Sequence, residues 1–148
     1  MQTFLTHPSY VQTFKHLDKK RLGNQRLETS ILLESITVGN GWKNHPASKM
    51  WFGYERALRQ YLRYNILEWV SRGGTNTMGV PEPDVGYARP RWWRDSRLYI
   101  SHRANLLRKD PVYYGKFKWE VDPAMPYHWP SRIPNLVYDD LKRIAFSK

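Results

Sequence analysis

Apolar residues recur along most of this chain at helical spacing, and no segment alternates with the period of two that a half-buried strand requires. After His7-Pro8, a short helix is expected over 9–18 with Ser9 as its N-cap. A second helix is expected over Lys19–Val38, stopped by Gly39-Asn40-Gly41. Its second half carries Leu27, Ile31, Leu32, Leu33, Ile36 and Val38, which lie nearly all round the cylinder, the pattern of a central, buried helix. Pro46 suits the first turn of a third helix, in which Trp51, Tyr54, Leu58, Leu62, Ile66 and Val70 form one stripe. Arg56, Arg59 and Arg63 fall off that stripe, and Gly73-Gly74 ends it. Residues 74–95 read as a long loop rich in Gly, Pro and Arg. A fourth helix over Ser96–Lys109 is closed by Asp110-Pro111, and an aromatic, proline-rich stretch occupies 112–134. A final amphipathic helix contains Leu136, Val137, Leu141 and Ile144. The prediction is an all-α, compact, single-domain helical bundle with long irregular loops.

Length bears on organisation: 148 residues fit one domain, 1–148, large enough to fold without a disulfide or structural metal. The absence of cysteine excludes a disulfide framework, a thiolate zinc site and a cysteine nucleophile. No stretch approaches the roughly 20 apolar residues of a membrane span. The first residues lack the basic and apolar regions of a signal peptide, so a cytoplasmic, DNA-associated protein with no membrane partner is expected.

Charge changes the picture more. Lys and Arg number 24 against 13 acids, a formal net charge of +11. Such a field concentrates polyanions. Seven Trp, ten Tyr and five Phe lie among those basic residues, and aromatic faces stack on exposed bases. Together the two features point to nucleic acid.

Three segments could carry chemistry. At about 100° per residue, Arg21, Gln25 and Glu28 fall on one stripe of the second helix, beside Lys20 and Arg26. Breaking an N-glycosidic bond builds positive charge on the sugar, which a fixed carboxylate can stabilise while arginines hold phosphates. The competing reading has Glu28 pairing with a local arginine to fix helix packing. Asn44-His45-Pro46 heads the third helix, where donors could meet a phosphate; the alternative is an ordinary N-cap formed by Asn44 or Ser48. The run from Ser101 through Lys116 combines His102, Arg103, Arg108 and Lys109 with Tyr113, Tyr114 and Lys116, a mixture of phosphate contacts and a stacking platform; the alternative is a solvated basic helix whose tyrosines plug the core. The five histidines show no metal spacing, and no nucleotide-binding glycine loop is present, so neither a metal nor a cofactor is expected.

In order, these segments, together with Gly41-Trp42-Lys43-Asn44-His45-Pro46, Met50-Trp51-Phe52-Gly53-Tyr54-Glu55-Arg56-Ala57-Leu58, Ser71-Arg72-Gly73 and Pro126-Tyr127-His128-Trp129-Pro130, resemble the pyrimidine-dimer DNA glycosylases of the phage endonuclease V type, and within them a bacterial and phage branch. The resemblance covers about 1–130 and leaves 131–148 as a C-terminal helical extension. It implies a compact all-α fold whose N-terminal segment threads between helices to the active site. It also implies a metal-independent glycosylase with AP-lyase activity, acting as a monomer on double-stranded DNA with damaged or modified pyrimidines. In that mechanism the N-terminal α-amine attacks C1′, expels the base and forms an imine that permits β-elimination, assisted by a glutamate. By order and spacing Glu28 matches that glutamate, with Asp18 and Glu34 as alternatives, and Arg21 and Arg26 match the phosphate-holding arginines. Gln2 is bulky enough for the preceding methionine to be retained, which makes the amine of Met1 the nucleophile. A non-catalytic nucleic-acid-binding accessory protein and an enzyme acting on modified nucleotides are the other functions considered.

Overall fold

The computed structural model describes residues 2–39 and 41–130. The expected final helix lies outside them, as does Met1. Six α-helices occur among the described residues, with no strand: α1 (Tyr10–His16), α2 (Lys19–Val38), α3 (Pro46–Trp51), α4 (Glu55–Ser71), α5 (Ser96–Lys109) and α6 (Pro111–Gly115). A 3₁₀ turn, Arg91–Arg94, precedes α5. Helix α4 packs against both α1 and α2, α3 sits on α2, and α6 on α5.

Local chemistry explains most boundaries. Ser9 caps α1 by accepting from Gln12 N–H at 3.2 Å. Asp18 caps α2 through Arg21 N–H, and Gly39, at φ 83°, closes it in the left-handed conformation that lacks a steric cost only for glycine. The C-terminal carbonyls of α1 are met by Arg72, whose guanidinium donates to Phe14 at 2.7 Å and to Leu17 at 2.6 Å.

Two expectations fail. The single helix predicted from Pro46 to the Gly73-Gly74 stop is two helices. Gly53 at φ 87° and the extended Phe52 break it, and the chain turns through a Tyr54 N–H to Trp51 carbonyl bond. That corner leaves Trp51 buried with its indole facing the N-terminal segment. Nor is α2 buried all round. Leu27, Ile31 and Val38 face outward, at 50%, 44% and 74% exposure, while Gln25, Arg26 and Thr29 face inward. A further helix, α6, lies in the stretch expected to be irregular; Asp110 caps it by accepting from Tyr113 N–H.

Polar residues occupy the inner face of α2 because of what packs there. Residues 2–6 run extended through the interior and are buried throughout. With no strand beside them, their peptide groups must be paired by side chains. Gln25 Oε1 accepts from Phe4 N–H (3.0 Å), His102 Nδ1 from Leu5 N–H (2.8 Å) and Gln2 Oε1 from Thr3 N–H (2.9 Å). Tyr61 Oη donates to the Phe4 carbonyl (2.7 Å), Arg103 Nε to the Thr6 carbonyl (2.7 Å) and Trp51 Nε1 to Thr3 Oγ1 (2.8 Å). Helices α2, α3, α4 and α5 thus each contribute to one threaded strand.

Candidate active site

The threaded segment reaches a cavity of about 290 Å³. Arg21, Asn24, Gln25 and Glu28 of α2 form one wall, Gln2 and Phe4 a second, and Lys109 of α5 with Tyr127 a third. The stripe of Arg21, Gln25 and Glu28 therefore does line a single cavity, as one face of a helix must. Asn24, Phe4 and Tyr127 were not singled out as site residues from sequence. Asn24 stands one turn before Glu28 on α2, and Tyr127 lies in the Pro126-Tyr127-His128-Trp129-Pro130 motif, whose spacing does nothing to bring it to α2.

Glu28 is half-buried. Among the described residues it forms no ion pair and no hydrogen bond, so the arginine partner that a packing role requires is missing. Arg21, the arginine that lines the same cavity, is engaged by Asp18 at 3.1 Å. Burial alone would raise Asp18, but hydrogen bonds from Tyr114 and Arg21 hold its carboxyl below the ordinary range. Burial pushes Tyr127 up to about 12, with the Glu28 charge adding to the effect, so it lines the cavity as a neutral phenol. The Glu28 carboxylate thus lines a cavity whose other charged lining groups, Arg21 and Lys109, are cations.

The amide oxygens of Gln2 and Gln25 accept from the Thr3 and Phe4 N–H groups. Both Nε2 groups are buried and have no hydrogen-bond partner among the described residues, in residues only 5% and 2% exposed. From the cavity, aromatic rings continue outward: Phe4 meets Tyr127, Tyr127 meets Trp129, Trp129 meets His45, and His45 meets the exposed Trp42, each pair with centroids 5.4–6.4 Å apart.

The remaining sequence candidates are dispersed. Lys20 is exposed on α2, one residue before Arg21, and does not line the cavity. Arg26 is buried elsewhere, donating to Asn76 Oδ1 at 2.8 Å and lying over the Trp69 ring. Asn44 is exposed, and the N-cap of α3 is His45 itself, whose Nδ1 accepts from Ala47 N–H at 3.0 Å; neither Asn44 nor Ser48 takes that part. His102 is fully buried and holds Leu5; because Nδ1 accepts, the ring proton sits on Nε2, and burial drives its pKa down to about 3, leaving it neutral. Arg103 is tied to Thr6 and stacks over Trp119, and Arg108 is tied to Asn105 and to the Pro123 and Met125 carbonyls. Tyr114 is buried against Asp18, Tyr113 donates to the Leu17 carbonyl, and Lys116 lies 3.8 Å from the Tyr113 ring centroid. Of the basic run ending at Lys116, only Lys109 reaches the cavity. Among the described residues no group of three acids or histidines could hold a metal ion, and no helix is long and apolar enough to cross a membrane.

Fold and cavity together define a helical protein whose own N-terminal segment enters a cationic cleft holding a carboxylate with no ion-pair partner among the described residues. This chain belongs to the pyrimidine dimer DNA glycosylase family, whose family model matches residues 1–81. Membership places it in DNA repair, in general terms as a glycosylase for DNA carrying pyrimidine dimers. The matched span is shorter than the 1–130 over which motifs were read. It contains the threaded segment, α1 to α4 and every cavity residue except Lys109 and Tyr127. Comparison with curated proteins and with solved structures returned no match.

Proposed function

We propose that the protein excises the base from damaged pyrimidine nucleotides and then cleaves the strand, using its N-terminal amine as nucleophile and Glu28 as the assisting carboxylate. The observation that carries this reading is the shared cavity, which Gln2 and Glu28 both line. An α-amine has an ordinary pKa of about 7.7–8.0, so a useful fraction is neutral and nucleophilic near neutrality. Its lone pair attacks C1′ and the C1′–N bond breaks, the base leaving with a proton. Opening of the sugar then gives a protonated imine. Loss of a C2′ proton expels the 3′ phosphate by β-elimination, and water releases the enzyme. Glu28 stabilises the cationic sugar in the first step and is positioned to relay protons in the later ones.

Arg21 and Lys109 in the cavity, with Lys20 next to Arg21 on α2, hold the flanking phosphates, and the damaged nucleotide is drawn from the duplex at a cost of a few kcal/mol. No step in this scheme calls for a metal. The test is borohydride trapping on duplex DNA carrying a pyrimidine dimer or an abasic site, in EDTA. A covalent protein–DNA adduct mapping to the N-terminal peptide is expected, and acetylation of the terminal amine removes it. Neither adduct nor base release on either substrate overturns the proposal.

A further inference from the structure

The 3₁₀ turn before α5 sets two like charges side by side. Its sequence is Arg-Trp-Trp-Arg, and in a 3₁₀ helix side chains three residues apart eclipse one another. Arg91 and Arg94 therefore share one face and are exposed, while Trp92 and Trp93 are buried. At a rise of about 2.0 Å per residue the two arginines are rooted about 6 Å apart. Like charges so close repel each other, and neither has an ion-pair partner among the described residues. The acid that follows them, Asp95, is taken by Arg97 at 2.9 Å and by His128 at 2.8 Å. Arg89, also exposed, adds a third cation over the Trp93 ring.

Two routes tie this turn to the framework of the cavity. Trp92 Nε1 donates to the Met50 carbonyl at 2.8 Å, and its ring meets Trp51 edge-on at 4.9 Å. Trp51 is the residue that donates to Thr3 of the threaded segment. Asp95, the C-cap of the turn, bonds His128, which stands in the chain between Tyr127 of the cavity wall and Trp129. The arginine pair is thus held in a set relation to the cavity without lining it.

We propose that Arg91 and Arg94 form a second anchor for duplex DNA, gripping phosphates of one strand on one side of the lesion and outside the cavity. This rests on the reading of the cavity as the place where the damaged nucleotide is held. A DNA strand carries about one charge per 3.4 Å of helix axis, so two long side chains rooted about 6 Å apart reach neighbouring phosphates. Guanidinium forks match phosphate oxygens in pairs, and the bound anions relieve the repulsion between the arginines.

The test measures binding against salt on a duplex with a central abasic site, followed by borohydride trapping on the same duplex. Arg91→Gln/Arg94→Gln should reduce the slope of log affinity against log salt by about 1.8, that is about 0.9 for each lost phosphate contact. Affinity near 0.1 M salt should fall at least about tenfold. Trapping at saturating protein should stay within about twofold, because the chemistry is untouched. Arg91→Lys/Arg94→Lys keeps the charges and should recover most of the slope. Shortening the duplex arm on one side of the abasic site should abolish the difference between wild type and the Gln variant; shortening the other arm should preserve it. Melting checks that the variants fold, and if the double variant does not, each single one carries the same test at about 0.9. An unchanged slope in a folded Gln variant overturns the anchor. So does a loss that is the same whichever arm is cut, the mark of a general field of charge. A reduced, arm-dependent slope with no trapping leaves the anchor standing and refutes the amine–glutamate chemistry. Trapping with an unchanged slope does the reverse.

Discussion

Two of the irregular segments of this protein are built in opposite ways. Residues 2–6 pass through the interior, where side chains of α2, α4 and α5 pair their peptide groups and Trp51 of α3 donates to the Thr3 hydroxyl. The loop between α4 and the 3₁₀ turn runs over the outside of α4. It is held there by Gln60 donating to the Glu82 carbonyl, Arg63 donating to the Pro81 carbonyl and an Arg56–Asp84 ion pair. Threading a strand through a helical core spends Gln25, Tyr61 and His102 on its backbone, positions that leucine would otherwise fill. Burial of that many polar groups is destabilising unless every one is matched. The inner segment's course is thus dictated by where it leads, the cavity with Glu28, whereas the outer loop only covers a helix.

The sharpest way to break this contrast is at the cavity. Glu28→Gln preserves volume and removes the charge; because the carboxylate has no ion-pair partner among the described residues, the fold should be indifferent to the change. Base release should fall by roughly 10²–10⁴-fold, the usual range for a lost acid–base group, with melting unchanged. A variant that melts early and works normally would return Glu28 to a packing role.

Next in size is the threaded segment's own anchor. His102→Leu fills similar space but leaves the Leu5 N–H without an acceptor, at a cost of about 1–3 kcal/mol read from urea unfolding. It should also alter the pH dependence. His102 has a folded pKa near 3 against an ordinary 6.5, so between those values the unfolded chain binds the extra proton. Stability is therefore complete above about pH 6.5 and declines as pH falls toward 3. His16, lowered to about 4 chiefly by burial, adds in the same direction. In His102→Leu the decline should be visibly shallower; an equal decline would assign the acid sensitivity to other groups.

How far sequence reveals such a molecule follows from the same contrast. Local signals fixed the ends of α2 and α5, since Asp18, Gly39 and Asp95 act on their own neighbours. Helical spacing also brought Arg21, Gln25 and Glu28 to one face without knowledge of the rest. What stayed hidden depends on distant partners. Leu27 and Ile31 look like core and lie outside because a polar strand claims the opposite face of α2. His102 and Arg103 look like phosphate contacts and are bonded to residues 97 positions away. A basic side chain has the same appearance in sequence whether it meets a phosphate or a buried carbonyl. The break at Gly53 was readable in principle, but the stripe from Trp51 to Leu58 continued across it.

The outer loop should prove sensitive at its root and indifferent at its tip. Gly74 lies against Trp69, and a β-carbon there would come within 2.2 Å of the indole. The ring has little room to give way, since Gly23 of α2 closes its other side, where a β-carbon would stand 2.9 Å away. Gly74→Ala should therefore destabilise by about 1–3 kcal/mol, the usual cost of overpacking.

At the tip, Arg56 and Asp84 are bonded at 2.7 Å, yet the arginine side chain is 57% exposed. Ion pairs in water contribute little and are screened by salt. Arg56→Ala should leave the melting temperature unchanged within error and leave base release intact. Its effect should be local: faster proteolysis between 74 and 90, increasing with salt in the wild type as the pair is screened and insensitive to salt in the variant. A lowered melting temperature would mean that the loop, like the threaded strand, belongs to the cooperative core, and the division between the two irregular segments would disappear.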